Sequence, residues 1–114
     1  MTIEEIQDRI RKFRDERDWM QFHNPKDMAA ALAIEAAELQ EIFLWQTGDA
    51  IEATATAKRE RIEEEIADVA VYLLELADNL GVDLPKAIES KLAKNALKYP
   101  VEKAKGSNAK YTEL

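Results

Sequence analysis

Two stretches, Glu35-Ala-Ala-Glu38-Leu-Gln-Glu41 and Glu63-Glu64-Glu65-Ile-Ala-Asp68, govern how this chain is read. Each sets two carboxylates at i and i+3, which puts them on one side of an α-helix. Around the first stretch the apolar stripe is Met28, Leu32, Leu39 and Ile42. At roughly 100° per residue, Glu35 falls in the middle of that stripe and Glu38 at its edge, so Glu35 is expected to point inward. Around the second, the stripe reads Ile62, Ile66, Val69, Leu73, Leu76 and Leu80, and Glu65, Asp68 and Tyr72 form a parallel row beside it. A short connection favours antiparallel neighbours, which would face the two acid pairs toward one another.

Outward from these stretches the chain reads as four helices, with glycines and prolines at the joints and no strand-like alternation. The first opens with Thr2 as N-cap and Glu5 as its capping-box partner, carries Ile3, Ile6, Ile10 and Phe13, and ends near Met20. The second starts at Asn24-Pro25 and runs through Trp45 until Gly48. Glu52 to Ala57 reads as a linker, and the third helix spans Ala57 to Leu80, stopped by Gly81. The fourth restarts at Asp83 and Pro85 and runs to about Lys98, where Pro100 ends it. The tail from about residue 101, with Gly106-Ser107-Asn108, reads as extended or partly disordered. The expectation is one all-α domain over residues 1–114, a four-helix bundle whose core is completed by homo-oligomerisation.

Composition narrows the function. The 114 residues are 46% hydrophobic and 34% charged, enough for a modest core under a heavily charged surface. A net charge of −7 argues against nucleic acid as a partner, since phosphate-backbone binding draws on Lys and Arg. A small polyanion remains compatible if a divalent cation bridges it to the acids. With no cysteine there is no disulfide, thiolate metal site or cysteine nucleophile. The N-terminus lacks the order of a secretory signal, and the longest apolar run, Met28 to Ile34, is too short for a membrane span; a soluble cytoplasmic protein is expected.

Four facing carboxylates repel one another and raise one another's pKa, and hard oxygen ligands call for Mg²⁺, with Mn²⁺ as an alternative. The expected ligands are Glu35, Glu38, Glu65 and Asp68. Glu4, Glu63, Glu64 and Glu75 are read instead as a solvated face. A di-iron bundle would need Glu-x-x-His on two helices, whereas the sole histidine, His23, precedes the second helix; an EF-hand loop is absent. Trp19, His23, Trp45 and Tyr72 offer flat faces with polar edges suited to a nucleobase. Trp45 lies one heptad after Glu38 and Tyr72 one heptad after Glu65, which would place base and phosphates in one groove.

These acids resemble the motifs of the MazG-like all-α nucleotide pyrophosphohydrolases. Arg17-Asp18-Trp19, Gln21-Phe22-His23, Phe43-Leu44-Trp45, Val82-Asp83-Leu84-Pro85, Lys91, Asn95, Tyr99-Pro100 and Lys110-Tyr111-Thr112 extend the similarity, in its dCTP pyrophosphatase branch, over nearly the whole chain. The compact segment Thr47 to Ala57 departs from the longer, proline-bearing linker of some relatives. The resemblance implies a homodimer or homotetramer, Mg²⁺ at the acids, and hydrolysis of a nucleoside triphosphate such as dCTP to its monophosphate and pyrophosphate. It also gives Asn95 a ligand contact, Lys91 a phosphate and Tyr99 a place among the substrate-binding residues. Glu38, at the stripe's edge, is the candidate to take a proton from the attacking water. The rival reading is a non-catalytic helical dimerisation module, which predicts no metal dependence.

Overall fold

The computed structural model describes all 114 residues as helices and turns without a strand. It divides into two compact units, Met1–Gly81 and Val82–Leu114. No helix is long and apolar enough to cross a membrane.

In the first unit, α1 (Ile3–Glu16) starts as expected, with Thr2 Oγ1 accepting the Glu5 backbone N–H at 3.1 Å. It stops at Glu16, short of the expected end near Met20, because the chain turns through Asp18 at φ 53°, a left-handed conformation that Asp tolerates better than most residues. A single 3₁₀ turn, Met20–Phe22, leads into α2 (Pro25–Ile42), capped by Asn24 Oδ1 accepting from the Asp27 N–H at 2.9 Å. This helix also ends early, at Ile42; Trp45 and Gly48 both take positive φ, 69° and 55°.

The expected linker is largely helical: α3 covers Asp49–Ala57. Its alanines favour the helix, and Asp49 and Glu52 in the first turn complement the positive end of the backbone dipole. Nine residues are marginal alone, and α3 gains support by packing on α4 (Arg59–Asn79). The chain therefore has six α-helices rather than four.

Specific contacts fix the directions of the three long helices. Gln7 donates to the Leu74 carbonyl at 3.0 Å and Arg11 to Asp78 at 2.8 Å, so α1 runs parallel to α4. His23, just before α2, meets Glu75, while Glu35, farther along α2, meets Glu65; α2 is antiparallel to α4, its principal packing partner. The inward row of α4 is Ile62, Glu65, Val69, Tyr72 and Leu76, all half-buried at alternating spacings of three and four. The expected stripe had merged this row with a second one, Ile66, Leu73 and Leu80, which is 52%, 41% and 55% exposed. Glu65 and Tyr72 consequently lie in the packed row rather than beside it. The buried apolar core is small: Ile10, Met28, Ile42 and Ala77.

The second unit holds α5 (Leu84–Lys98), capped by Asp83 Oδ1 accepting from the Lys86 N–H at 3.1 Å. The tail is more ordered than its composition implied. It forms the short α6 (Val101–Ala104), turns at Gly106 (φ 76°) and closes on a 3₁₀ turn, Tyr111–Glu113. Tyr99 meets Tyr111 edge to face at 6.0 Å, and Lys98 Nζ sits 5.0 Å from the Tyr111 ring centre, contacts invisible in a reading by composition.

Candidate active site

α2 and α4 bring together one oxygen from each of Glu35, Glu38 and Glu65, all within 4.8 Å of one another. Glu35 Oε2 and Glu65 Oε2 are buried and have no hydrogen-bond partner. A buried carboxylate oxygen without a donor is costly, and three carboxylates at this range compound the cost. Burial, then the closeness and charge of Glu38, push Glu35 from the usual glutamate value up to about 7. Burial also raises Glu65; the neighbouring Glu35 opposes this, and the charge of Glu38 adds to it. Asp68, one turn beyond Glu65, is exposed and outside the tight triple, but its charge reaches Glu35. Orphaned hard oxygens of this kind fit a cation such as Mg²⁺.

Beside the acids lies a cavity of about 180 Å³. Phe13, Trp19 and Tyr72 supply aromatic walls, Glu35 and Asp68 join it to the acid cluster, and His23 contributes a ring edge. Trp19 lies edge-on to Phe13 at 5.8 Å and 6.3 Å from the His23 ring. Burial, then the charges of Glu35, Asp68 and Glu75, raise the Tyr72 hydroxyl, which favours its protonated, hydrogen-bond-donating form. The volume suits part of a ligand, such as a base, rather than a whole triphosphate. A larger groove of about 490 Å³ along Ala57, Lys58, Glu60, Arg61 and Glu64 is a shallow surface depression away from these groups, and the more enclosed cavity is the better site.

Trp45 stands apart from this constellation. Trp45 does not line the cavity and is 89% exposed; without helical backbone at residue 45, the expected heptad relation to Glu38 does not hold. Lys91, Asn95 and Tyr99 belong to α5 and its C-terminal cap in the second unit, Lys91 exposed and Asn95 half-buried.

Sequence reasoning assigned Glu75 to a solvated face, yet it is only 4% exposed, and Arg14 only 7%. Both line the cavity. Glu75 is held by His23 Nδ1 at 2.8 Å and Asn79 Nδ2 at 3.0 Å, with Arg14 4.0 Å away. The available signal was its place as the one acid in the otherwise apolar run Val69 to Ala77.

Comparison with known proteins agrees with this architecture. Residues 30–114 match the MazG-like family. The chain is 43% identical to dCTP pyrophosphatase 1 of Homo sapiens and 42% to that of Mus musculus, each alignment covering 99% of this chain and 68% of the relative. A crystal structure of a pyrophosphatase from Archaeoglobus fulgidus superposes with a TM-score of 0.82 at 43% identity, covering 85% of this chain and 91% of that one. The chain belongs to the MazG-like family. Its similarity to proteins named as pyrophosphatases favours an enzyme over a passive dimerisation module.

Proposed function

We propose that this chain is a Mg²⁺-dependent nucleoside triphosphate pyrophosphohydrolase that converts dCTP, or a closely related deoxynucleotide, to its monophosphate and pyrophosphate. The observation that carries the reading is the inward triple Glu35, Glu38 and Glu65, with two orphaned oxygens, opening on an aromatic cavity of base size. The names of the relatives supply the substrate class.

Glu35, Glu38 and Glu65, with Asp68 beside them, would hold the cation, which when bound offsets phosphate charge and lowers the pKa of a coordinated water. Glu38 accepts the proton of the water whose oxygen attacks the α-phosphorus in line. The bond from that phosphorus to the bridging oxygen breaks, and pyrophosphate leaves. Trp19, His23 and Tyr72 hold the base, so that the triphosphate extends toward the acids. Trp45, Lys91, Asn95 and Tyr99 keep the substrate-contacting roles implied by the resemblance, and alanine at each is expected to raise KM. The exposed apolar row Ile66, Leu73 and Leu80 supports a homo-oligomer as the working form.

The test is a panel of deoxynucleotides assayed for pyrophosphate release. dCTP is expected to exceed dGTP in kcat/KM, and His23→Ala to narrow that gap more than it lowers kcat, because unpaired polar groups set discrimination. Equal rates on both nucleotides with the parent protein would contradict the pocket assignment.

A further inference from the structure

Glu75 is an unusual group to bury beside a binding cavity. A buried ion pair is weak evidence for stability, because desolvation cancels much of its attraction. Each of its oxygens is nevertheless occupied: Oε1 by His23 Nδ1 at 3.0 Å, Oε2 by the same nitrogen at 2.8 Å and by Asn79 Nδ2 at 3.0 Å. Arg14 stands 4.0 Å from Oε2, and its own nitrogens are tied to Asn79 Oδ1 at 2.9 Å and Asp15 at 2.8 Å. The guanidinium thus supplies the positive charge opposite Glu75, and the imidazole need not carry one. An ionised carboxylate can only accept, so the His23 proton must sit on Nδ1. Nε2 has no protein partner and belongs to a residue that lines the cavity.

We propose that Glu75 is a positioning residue for base selection: it fixes His23 with Nε2 as a bare hydrogen-bond acceptor, which selects a pyrimidine bearing an exocyclic amino group over one bearing a carbonyl there. Cytosine presents an N4 amino donor on the edge where uracil and thymine present the O4 acceptor. The amino group pairs with Nε2, whereas a carbonyl sets lone pair against lone pair and leaves both unpaired. The inference rests on the reading above that the base enters this cavity.

His23 is the only histidine, so its nitrogens are unambiguous in a ¹⁵N NMR spectrum. At pH 7.5 with Mg²⁺, the parent protein is expected to show Nδ1 protonated and Nε2 bare. The Nε2 resonance should shift on adding dCMP and stay in place with dUMP. An imidazolium, or a proton on Nε2, overturns the proposal. If dCMP moves the Trp19 and Tyr72 resonances and leaves Nε2 unmoved, the base enters the cavity and the role of Glu75 fails; if dCMP moves none of them, the cavity reading itself fails. In kinetics, Glu75→Leu, which leaves His23 Nδ1 without an acceptor, is expected to lower the dCTP to dUTP ratio of kcat/KM by about tenfold, the scale of one lost hydrogen bond, chiefly through the KM for dCTP. A folded variant that keeps the parent ratio contradicts the assignment. Should that variant not fold, the spectrum of the parent protein decides alone.

Discussion

Glu35 stands where an amphipathic helix would normally put leucine, and the position dictates its chemistry. Its folded value of about 7 lies above the ordinary 4.5, so the folded protein binds the proton more tightly than the unfolded chain does. The stabilising contribution is complete below 4.5, declines as pH rises, and is gone above about 7. In EDTA, the parent protein is therefore expected to lose thermal stability relative to Glu35→Gln between pH 5 and 8, with the neutral variant the more stable at pH 8. Metal must displace this proton, so Mg²⁺ should stabilise the parent more at pH 8 than at pH 6 and stabilise Glu35→Gln little at either. Denaturation curves at two pH values, with and without Mg²⁺, check both statements. Alanine at Glu35, Glu65 or Asp68 is expected to abolish turnover, and Glu38→Ala to lower kcat by at least about 10²–10⁴-fold, the range of a lost general base. Full activity in any two of the four alanine variants would sink the ligand assignment.

At the scale of elements, the sequence was legible wherever one residue type does one local job. Thr2 and Asn24 cap the helices that were expected of them, and Asp83, expected only to restart the chain, caps α5; each side-chain oxygen meets a backbone N–H three residues on. Asn24→Ala is expected to cost about 1 kcal/mol in urea denaturation without changing kcat, because the cap orders the start of α2 some three turns before Glu35. Two features were hidden for physical reasons. α3 lacks a clear apolar period and contains Thr54 and Thr56, so its helix depends on packing against α4 rather than on pattern. On α4 two apolar rows at heptad spacing, one inward and one outward, blur into a single broad stripe. Glu75 was lost in that blur: its burial depends on α1 running parallel to α4 and delivering Arg14, a tertiary fact that no window of sequence contains. The meeting of Glu35, Glu38 and Glu65 was legible because Glu35 lies in the middle of one apolar stripe and Glu38 at its edge, whereas the depth of Glu65 and the outward place of Asp68 depend on how α2 packs against α4.

The whole molecule carries an acidic surface over a core of few fully buried apolar side chains, with Ile66, Leu73 and Leu80 left in solvent. We propose that this exposed apolar row is the interface of a homo-oligomer. Light scattering at micromolar concentration is expected to give more than one chain per particle, and Leu73→Lys to shift the distribution toward the monomer. A monomeric parent with undiminished activity on dilution would contradict the oligomer. The central claim, that the carboxylates of α2 and α4 make this chain a pyrophosphohydrolase, is tested most directly by following dCTP with ³¹P NMR in the presence of Mg²⁺. Equimolar dCMP and pyrophosphate, with no turnover in EDTA and none in Glu35→Gln, is the expected result; dCDP and orthophosphate, or unchanged turnover in EDTA, would contradict it.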